Sequence, residues 1–316
     1  MSTHSTGRDA ASPTEVPARG WWQILRRTYA EANNDNLGLI ASGVAFYGFL
    51  AMVPLLGAMV LTYGLVVDPH DLAEHMHAIT SMVPSEAAKL IDEQLVNVVT
   101  AATGKKGLGL ALALLLALYG AMKGAGAIVT ALNIVYEERE TRRLIKLYLV
   151  QAAITGAAVL LAVAGLMSVS VTGFLEDMAG SLGRGVEVAI KIAAWVITAL
   201  LASGAVAALY RYAPNRREPR WSWLTPGSVA ATLGFIATSL GFGFYAAHFG
   251  NYNATYGSLG AIVVLLLWMY LSAYVLLLGA ELNAELEHQT ARDTTKEPDK
   301  PMGRRGAKMA DEVAKE

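Results

Sequence analysis

Three groups of side chains have types and spacings that could do chemistry. A lysine, Lys123, stands inside the run ALYGAMKGAGAIVTALNIVY, with Asn133 and Tyr136 ten and thirteen residues further on. A cation in so apolar a stretch can hold an anionic group, with the amide and phenol hydrogen-bonding it, and the three are candidate substrate-binding or pathway residues. Two carboxylates, Glu281 and Glu285, lie four apart in LLLGAELNAELEH and so share a helix face. Together with Asp35, Glu138 and Arg142 they are candidates for a gate, an ion-coupling site or a structural salt-bridge network with Arg142, Arg143 or Arg211. The third group is DPHDLAEHMH, where His70 and Glu74, and Asp71 and His75, are four apart, with His77 nearby. That is metal-ligand spacing, but hydrated loops collect such residues freely, and no metal site is expected.

Other chemistry is missing. There are no cysteines, so disulfides, thiolate metal sites and cysteine nucleophiles are excluded. No P-loop (GxxxxGK followed by Ser or Thr) and no HExxH are present, and no cofactor is expected. No nucleophile and base are visibly paired, so the chain does not read as an enzyme. The basic residues form a rim along one side of the predicted topology, which is ordinary for a membrane protein and does not point to nucleic acid.

The elements that must position these residues are membrane spans. Apolar residues make up 54% of the chain and charged residues 16%, against roughly 25% charged in soluble domains. Mean hydropathy is +0.40. The apolar residues come in blocks that approach or exceed the ~20 residues needed to cross a bilayer as helix. Spans are expected near 38–66, 108–135, 145–173, 187–210, 226–249 and 257–284. Backbone amides in lipid must be paired within the segment, so the fold class is all-α, a polytopic membrane protein with six transmembrane helices. Nineteen of the 25 Lys and Arg residues fall on one side of this topology and four on the other. Both termini are therefore expected in the cytoplasm.

Two segments do not cross. Residues 20–36, GWWQILRRTYAEANNDN, place Trp21, Trp22, Leu25 and Tyr29 toward the headgroups and Arg26 and Arg27 toward anionic lipid, as an interfacial helix. The external segment 68–107 reads as a helical hairpin, 71–82 and 86–102, lying as a lid over the spans. Residues 1–19 and 291–316 are polar or charged and are expected as disordered tails on either side of a membrane domain at 20–290. The first stretch lacks the apolar core of a signal peptide.

Lys123 falls ~22 Å into the second span, past the middle of a ~30 Å hydrocarbon layer. A lysine at the centre costs ~2.5–3.5 kcal/mol on insertion scales. Gly120 and Gly124 flank it as a literal GxxxG, so a neighbouring helix can approach closely. Lys123 is expected to point into the bundle or into a cavity. Pro54 can kink the first span, and Gly234, Gly241 and Gly243 in the fifth suit packing or a hinge.

Four stretches together carry a family resemblance: DNLGLIASGVAFYGFLAMVPLL, MKGAGAIVTALNIVYEERETRR, YAPNRREPRWSWLTPGSVAATL and NYNATYGSLGAIVVLLLWMYLSAYVLLLGAELNAELEHQ. Over about residues 20–292 the chain resembles the YihY/virulence factor BrkB family of bacterial inner-membrane proteins. The resemblance implies a six-helix inner-membrane protein with a cytoplasmic N-terminus. Motif residues it carries onto this chain include Asp35, Pro54, Lys123, Asn133, Tyr136, Glu138, Arg142, Tyr212, Pro226, Gly227, Glu281, Asn283 and Glu285. Members have been called virulence or serum-resistance factors, and the family once bore the label ribonuclease BN, which these residues do not support.

The expectation is a transporter or lipid-handling permease for an anionic or amphipathic substrate. The alternative is a non-transporting envelope scaffold associated with virulence or serum resistance. The expected partners are the lipid bilayer and an anionic lipid or small anion, with a homo-oligomer left open and no nucleic acid.

Overall fold

The structure, a computed structural model, describes residues 6–63, 108–180, 184–249 and 258–314. The expected external hairpin with its histidine cluster, and the loop at 250–257, lie outside these residues. The helices are α1 (Ala18–Asn34), α2 (Leu37–Tyr63), α3 (Leu108–Val135), α4 (Leu144–Gly180), α5 (Arg184–Tyr212), α6 (Trp221–Phe249), α7 (Ser258–Gln289) and the short α8 (Lys308–Asp311). No strand forms among the described residues; one isolated bridge joins Pro219 and Thr295. Helices α3 to α7 are each long and apolar enough to cross a membrane. The pair α1–α2, bent by 66° at its break, brings the number to as many as six. The fold is that of an all-α polytopic membrane protein.

Small residues set the closest helix contacts. Gly120 and Gly124 turn toward α2: a Cβ at Gly120 would lie 2.9 Å from the Pro54 ring, and one at Gly124 would lie 3.1 Å from Ala51. The GxxxG is thus used inside the chain. Helices α6 and α7 cross where Gly227 meets Gly279; a Cβ on Gly279 would lie 2.5 Å from the Gly227 carbonyl oxygen. Gly234 packs against Val275, whereas Gly241 and Gly243 face open space. Packing therefore accounts for only the first of those three glycines.

The buried core lies at the end of the bundle that carries both termini, here called the terminal end. Leu132, Val135 and Tyr136 from α3 and its end, Tyr210 from α5, Leu224 from α6, and Leu277 and Ala280 from α7 meet there. Two turns shape this end through left-handed backbone. Asn36, at φ 54°, joins α1 to α2. Glu137, at φ 52°, ends α3 in the position glycine usually takes: the Glu138 amide reaches the Asn133 carbonyl, and the Glu137 amide that of Ile134.

The described parts of the tails differ from the disorder expected of them. The Ala291 amide donates to Arg8 O at 2.8 Å, Thr290 Oγ1 to Ala10 O at 2.7 Å, and the Ala314 amide to His288 O at 2.9 Å. Buried Arg305 gathers the carbonyls of Arg292, Lys300, Ala291 and Ala310. Ala10 and Val16 complete a small core with Ile24, Trp223 and Leu286. Composition argued for solvation; one guanidinium with several donors supplies an organising centre that composition does not reveal.

Candidate functional site

A cavity of about 1140 Å³ lies among the spans, above the core. Helices α2 to α7 all contribute to its wall, with many alanines and glycines: Ala45, Gly48 and Ala51 from α2, Gly124 and Ala125 from α3, Ala158 from α4, Ala194 and Ala205 from α5. Such short side chains cannot fill the space between helices held apart by their larger neighbours. The volume lies just above the ~300–1,000 Å³ of ordinary small-molecule pockets. Polar groups in the wall are few. Thr198, Thr232 and Ser272 donate back to their own helices. Trp268 Nε1 donates to Ser239 Oγ at 3.2 Å. The Thr155 hydroxyl is buried and has no hydrogen-bond partner. Such a wall suits the apolar part of a ligand.

The floor lies at the terminal end. Ile128, Val206 and Leu276 line it, and beneath them Tyr210 Oη donates to Leu276 O at 2.5 Å. Below the floor is a layer of polar side chains. Arg216, from the α5–α6 loop, donates to Glu287 at 2.6 Å, and neither side chain is exposed at all. Its guanidinium lies 4.3 Å from the centre of the Tyr136 ring, and Thr294 Oγ1 donates to the other Glu287 oxygen. Asn283 bridges α7 to α6 at Pro226, accepting from the Gly227 amide at 2.7 Å and donating to Leu224 O at 3.1 Å.

The site residues expected from sequence divide unevenly. Asn133, Tyr136, Glu138, Arg142, Asp35, Glu281 and Glu285 all come to this layer. Lys123 does not. It is exposed on the far side of α3 from the cavity, beside the ring of Tyr119 at 5.9 Å. At 3.6 residues per turn, offsets of ten and thirteen turn Asn133 and Tyr136 about 80° and 140° away from it. Gly120 and Gly124 fix the rotation of the helix by fitting against α2, so that Ala121, Gly124 and Ala125 are buried and Lys123 is not.

The pairings also differ from those expected. Arg142 binds Glu140 and donates to Ala213 O, with Asn133 donating to the same Glu140 at 3.0 Å. The Asn133 oxygen accepts from the Asn215 amide at 2.7 Å, tying α3 to the α5–α6 loop. Glu285 pairs with Arg27, which also donates to Gln289. Arg27 therefore faces α7 and not lipid, while Trp22 and Tyr29 remain exposed at 71% and 72%. Arg211 lies against the Tyr212 and Trp221 rings and 3.9 Å from Glu218. Glu138 accepts from the Lys308 amide at 2.7 Å. Among the described residues Glu281 forms no ion pair or hydrogen bond, and one of its oxygens is buried without a partner.

The turns set the charge states around the layer. Burial, with Glu137 and Glu31 nearby, pushes Asp35 up to about 6. Burial likewise raises Glu138 above the usual carboxylate range. Hydrogen bonds from Arg142 hold Glu140 below it. Arg216, Glu287, Arg27 and Asn215 were not singled out from sequence as site residues. Glu287 could have been found as a third acid in the same polar end of an apolar helix; Arg216 is one of several loop arginines, and only the fold selects it.

Known proteins are similar to this chain in sequence. A putative ribonuclease-like protein, YfkH, of Bacillus subtilis (strain 168) is 34% identical over 253 residues, which is 77% of this chain and 87% of that one. A UPF0761 membrane protein of Albidiferax ferrireducens is 26% identical over 286 residues, 88% of this chain and 65% of its own. One from Rhodospirillum rubrum is 28% identical over 285 residues, 85% and 62%. The chain thus spans less than two thirds of the length of these last two relatives. No solved structure matches. A family model described as virulence factor BrkB matches residues 28–303, so it takes in the cavity, helices α2 to α7 and the polar layer apart from Arg27 and α8, and the chain belongs to that family.

Proposed function

We propose that this protein is a transporter or lipid-handling permease of the bacterial inner membrane, with both termini cytoplasmic, acting on an amphipathic anionic substrate. The observation that carries the reading is the cavity of about 1140 Å³, walled by all six spans and almost wholly apolar. An acyl chain or other apolar tail fits such a wall. A scaffold that only joins partners needs no internal space of this kind. Orientation rests on the positive-inside distribution, which puts the polar layer on the cytoplasmic side. The layer would then close the cavity floor, with the Arg216–Glu287 pair and the Tyr210–Leu276 hydrogen bond as its fastenings. Arg142, Arg211 and Arg217 around it give a rim to which an anionic headgroup is drawn. Lys123, on the outer surface of α3, would meet the headgroup of a neighbouring lipid by extending its stem toward water.

The test is translocation of a fluorescent anionic phospholipid in proteoliposomes. Ala194→Phe and Ala205→Trp fill the cavity without touching the polar layer. Each should slow translocation by about tenfold or more, which is ~1.4 kcal/mol in barrier, with the melting temperature retained. Wild-type rates in both folded variants, or no translocation by the wild type, would refute the reading.

A further inference from the structure

The polar layer holds more acid than base. Facing α7 from α1 are Arg27, Glu31 and Asp35; from the end of α3, Glu137 and Glu138; from the α5–α6 loop, Arg216. Helix α7 itself adds Glu281, Glu285, Glu287 and His288, and α8 adds Lys308 and Asp311. Helices α2 and α6 contribute no Asp, Glu, Lys or Arg. The lysine and both arginines are already committed: Arg27 to Glu285, Arg216 to Glu287, Lys308 to Glu137.

Of the five acids outside these pairs, Glu281 is the one with a buried oxygen that has no partner. It is 1% exposed, and its Oε2 is buried without a partner. Its strongest electrostatic neighbours are all acids: Asp35, Glu285, Glu31 and Glu137. A carboxylate that is buried, unpaired and ringed by like charge is not a stable occupant of such a place. An independent sign lies on the facing elements. The hydroxyl of Thr28 is also buried without a partner. Thr28, Glu31 and Asp35 fall at i, i+3 and i+7 on α1, the stripe that buries Ile24 and Ala32. Among the described residues, the turns carrying Asp35 and Glu137 toward this point are the two whose left-handed residue is not glycine, Asn36 and Glu137. Held backbone of this kind gathers at functional places.

We infer that Glu281 is a proton-binding site, occupied as the neutral acid and exchanging one proton with solution by way of Asp35. Asp35 is partly exposed, in the turn between α1 and α2, and is pushed up to about 6 for the reasons given above. A single buried carboxyl with no cationic partner is accommodated as the neutral acid, and the ion this inference assigns to it is H⁺. As the coupling ion of a transporter this proton rests on the proposed function; as a bound proton it does not.

Infrared difference spectroscopy on the full chain in nanodiscs reads the proton directly and needs no transport. The wild type should show the carbonyl stretch of a protonated carboxyl at neutral pH. The band should vanish in Glu281→Gln, which is isosteric with the neutral acid, and survive in Glu285→Gln. Asp35→Asn should slow its exchange into D₂O. If Glu281→Gln fails to fold, Glu281→Asp must shift the band. No band in the wild type, a band untouched by either Glu281 substitution, or a band that appears only when Na⁺ is replaced by choline would overturn the assignment. Flux that is pH-dependent in the wild type and pH-independent in Glu281→Gln would tie the proton to transport; a Glu281 band in a protein that moves no substrate would strike the transport reading alone.

Discussion

The cavity and the polar layer sit one above the other in the same bundle, and they are built on opposite principles. The cavity wall is made of residues too short to meet, and its single unpartnered hydroxyl is Thr155. The layer is made of long charged side chains, nearly all tied to one another. In an apolar wall a missing contact leaves room, and room is cheap to keep where the helices are held apart elsewhere. In a buried charged layer a missing contact leaves an exposed cost, because an uncompensated ion has no water to fall back on. The comparison teaches where each kind of substitution should hurt, and where it should not.

The largest effect should come from breaking the layer at its deepest pair. Arg216→Met leaves Glu287 buried and unpaired and should cost about 3–5 kcal/mol, read as loss of folded protein by size-exclusion and thermal unfolding in detergent. The double variant Arg216→Met/Glu287→Leu should recover most of that; if it melts no higher than the single variant, the pair is not the fastening described here. Next comes the helix crossing between the two regions. Gly227→Ala places a methyl onto Gly279 and Asn283 and should destabilise by ~1–3 kcal/mol. Gly241→Ala, on the same helix but facing open space, should instead be neutral or stabilise by up to ~1 kcal/mol. Equal effects at the two glycines would contradict the α6–α7 packing.

Asp35 gives a pH-dependent test. Its folded value, about 6, lies above the unfolded value near 3.9, so ionisation penalises the folded state. The penalty is absent below about pH 4 and complete above about pH 6. Asp35→Asn should therefore raise the melting temperature at pH 8, by roughly 1 kcal/mol of stability after allowing for its partial exposure, and leave it unchanged at pH 4. A gain that is the same at both pH values would remove the electrostatic explanation. The smallest effect belongs to the cavity. Thr155→Val removes a buried hydroxyl that has no partner and should stabilise by about 0.5–1 kcal/mol. A loss of stability there would mean that the hydroxyl has a partner after all, a bound ligand or water being the one to look for.

How much of this was legible in the sequence differs between the two regions. Long apolar blocks must be helices in lipid, so the class of fold follows from composition and block length. The polar ends of those helices were visible as well: ELNAELEHQ and NIVYEERETRR announce that charge collects at one end of the bundle. Which charge meets which was not. Glu285 was four residues from Glu281 and seemed its equal, yet one is bonded to Arg27 and the other is left without a partner. The cavity was invisible, because alanine and glycine in a span look the same whether they bring helices together, as Gly120 and Gly124 do, or leave a gap between them, as Ala194 and Ala205 do.

Lys123 marks the boundary between the two kinds of knowledge. The sequence alone determined that a cation enters an apolar helix and that small residues flank it, because depth and spacing are properties of one helix. Only the tertiary structure decided which way that helix faces. The small flank packs against α2, the charge is turned outward, and charged groups at the terminal end find partners far along the chain, as Arg27 and Glu285 do across 258 residues. Rotation about the helix axis and pairing across the bundle are settled by which surfaces fit when all six spans are brought together, and no single segment carries that information.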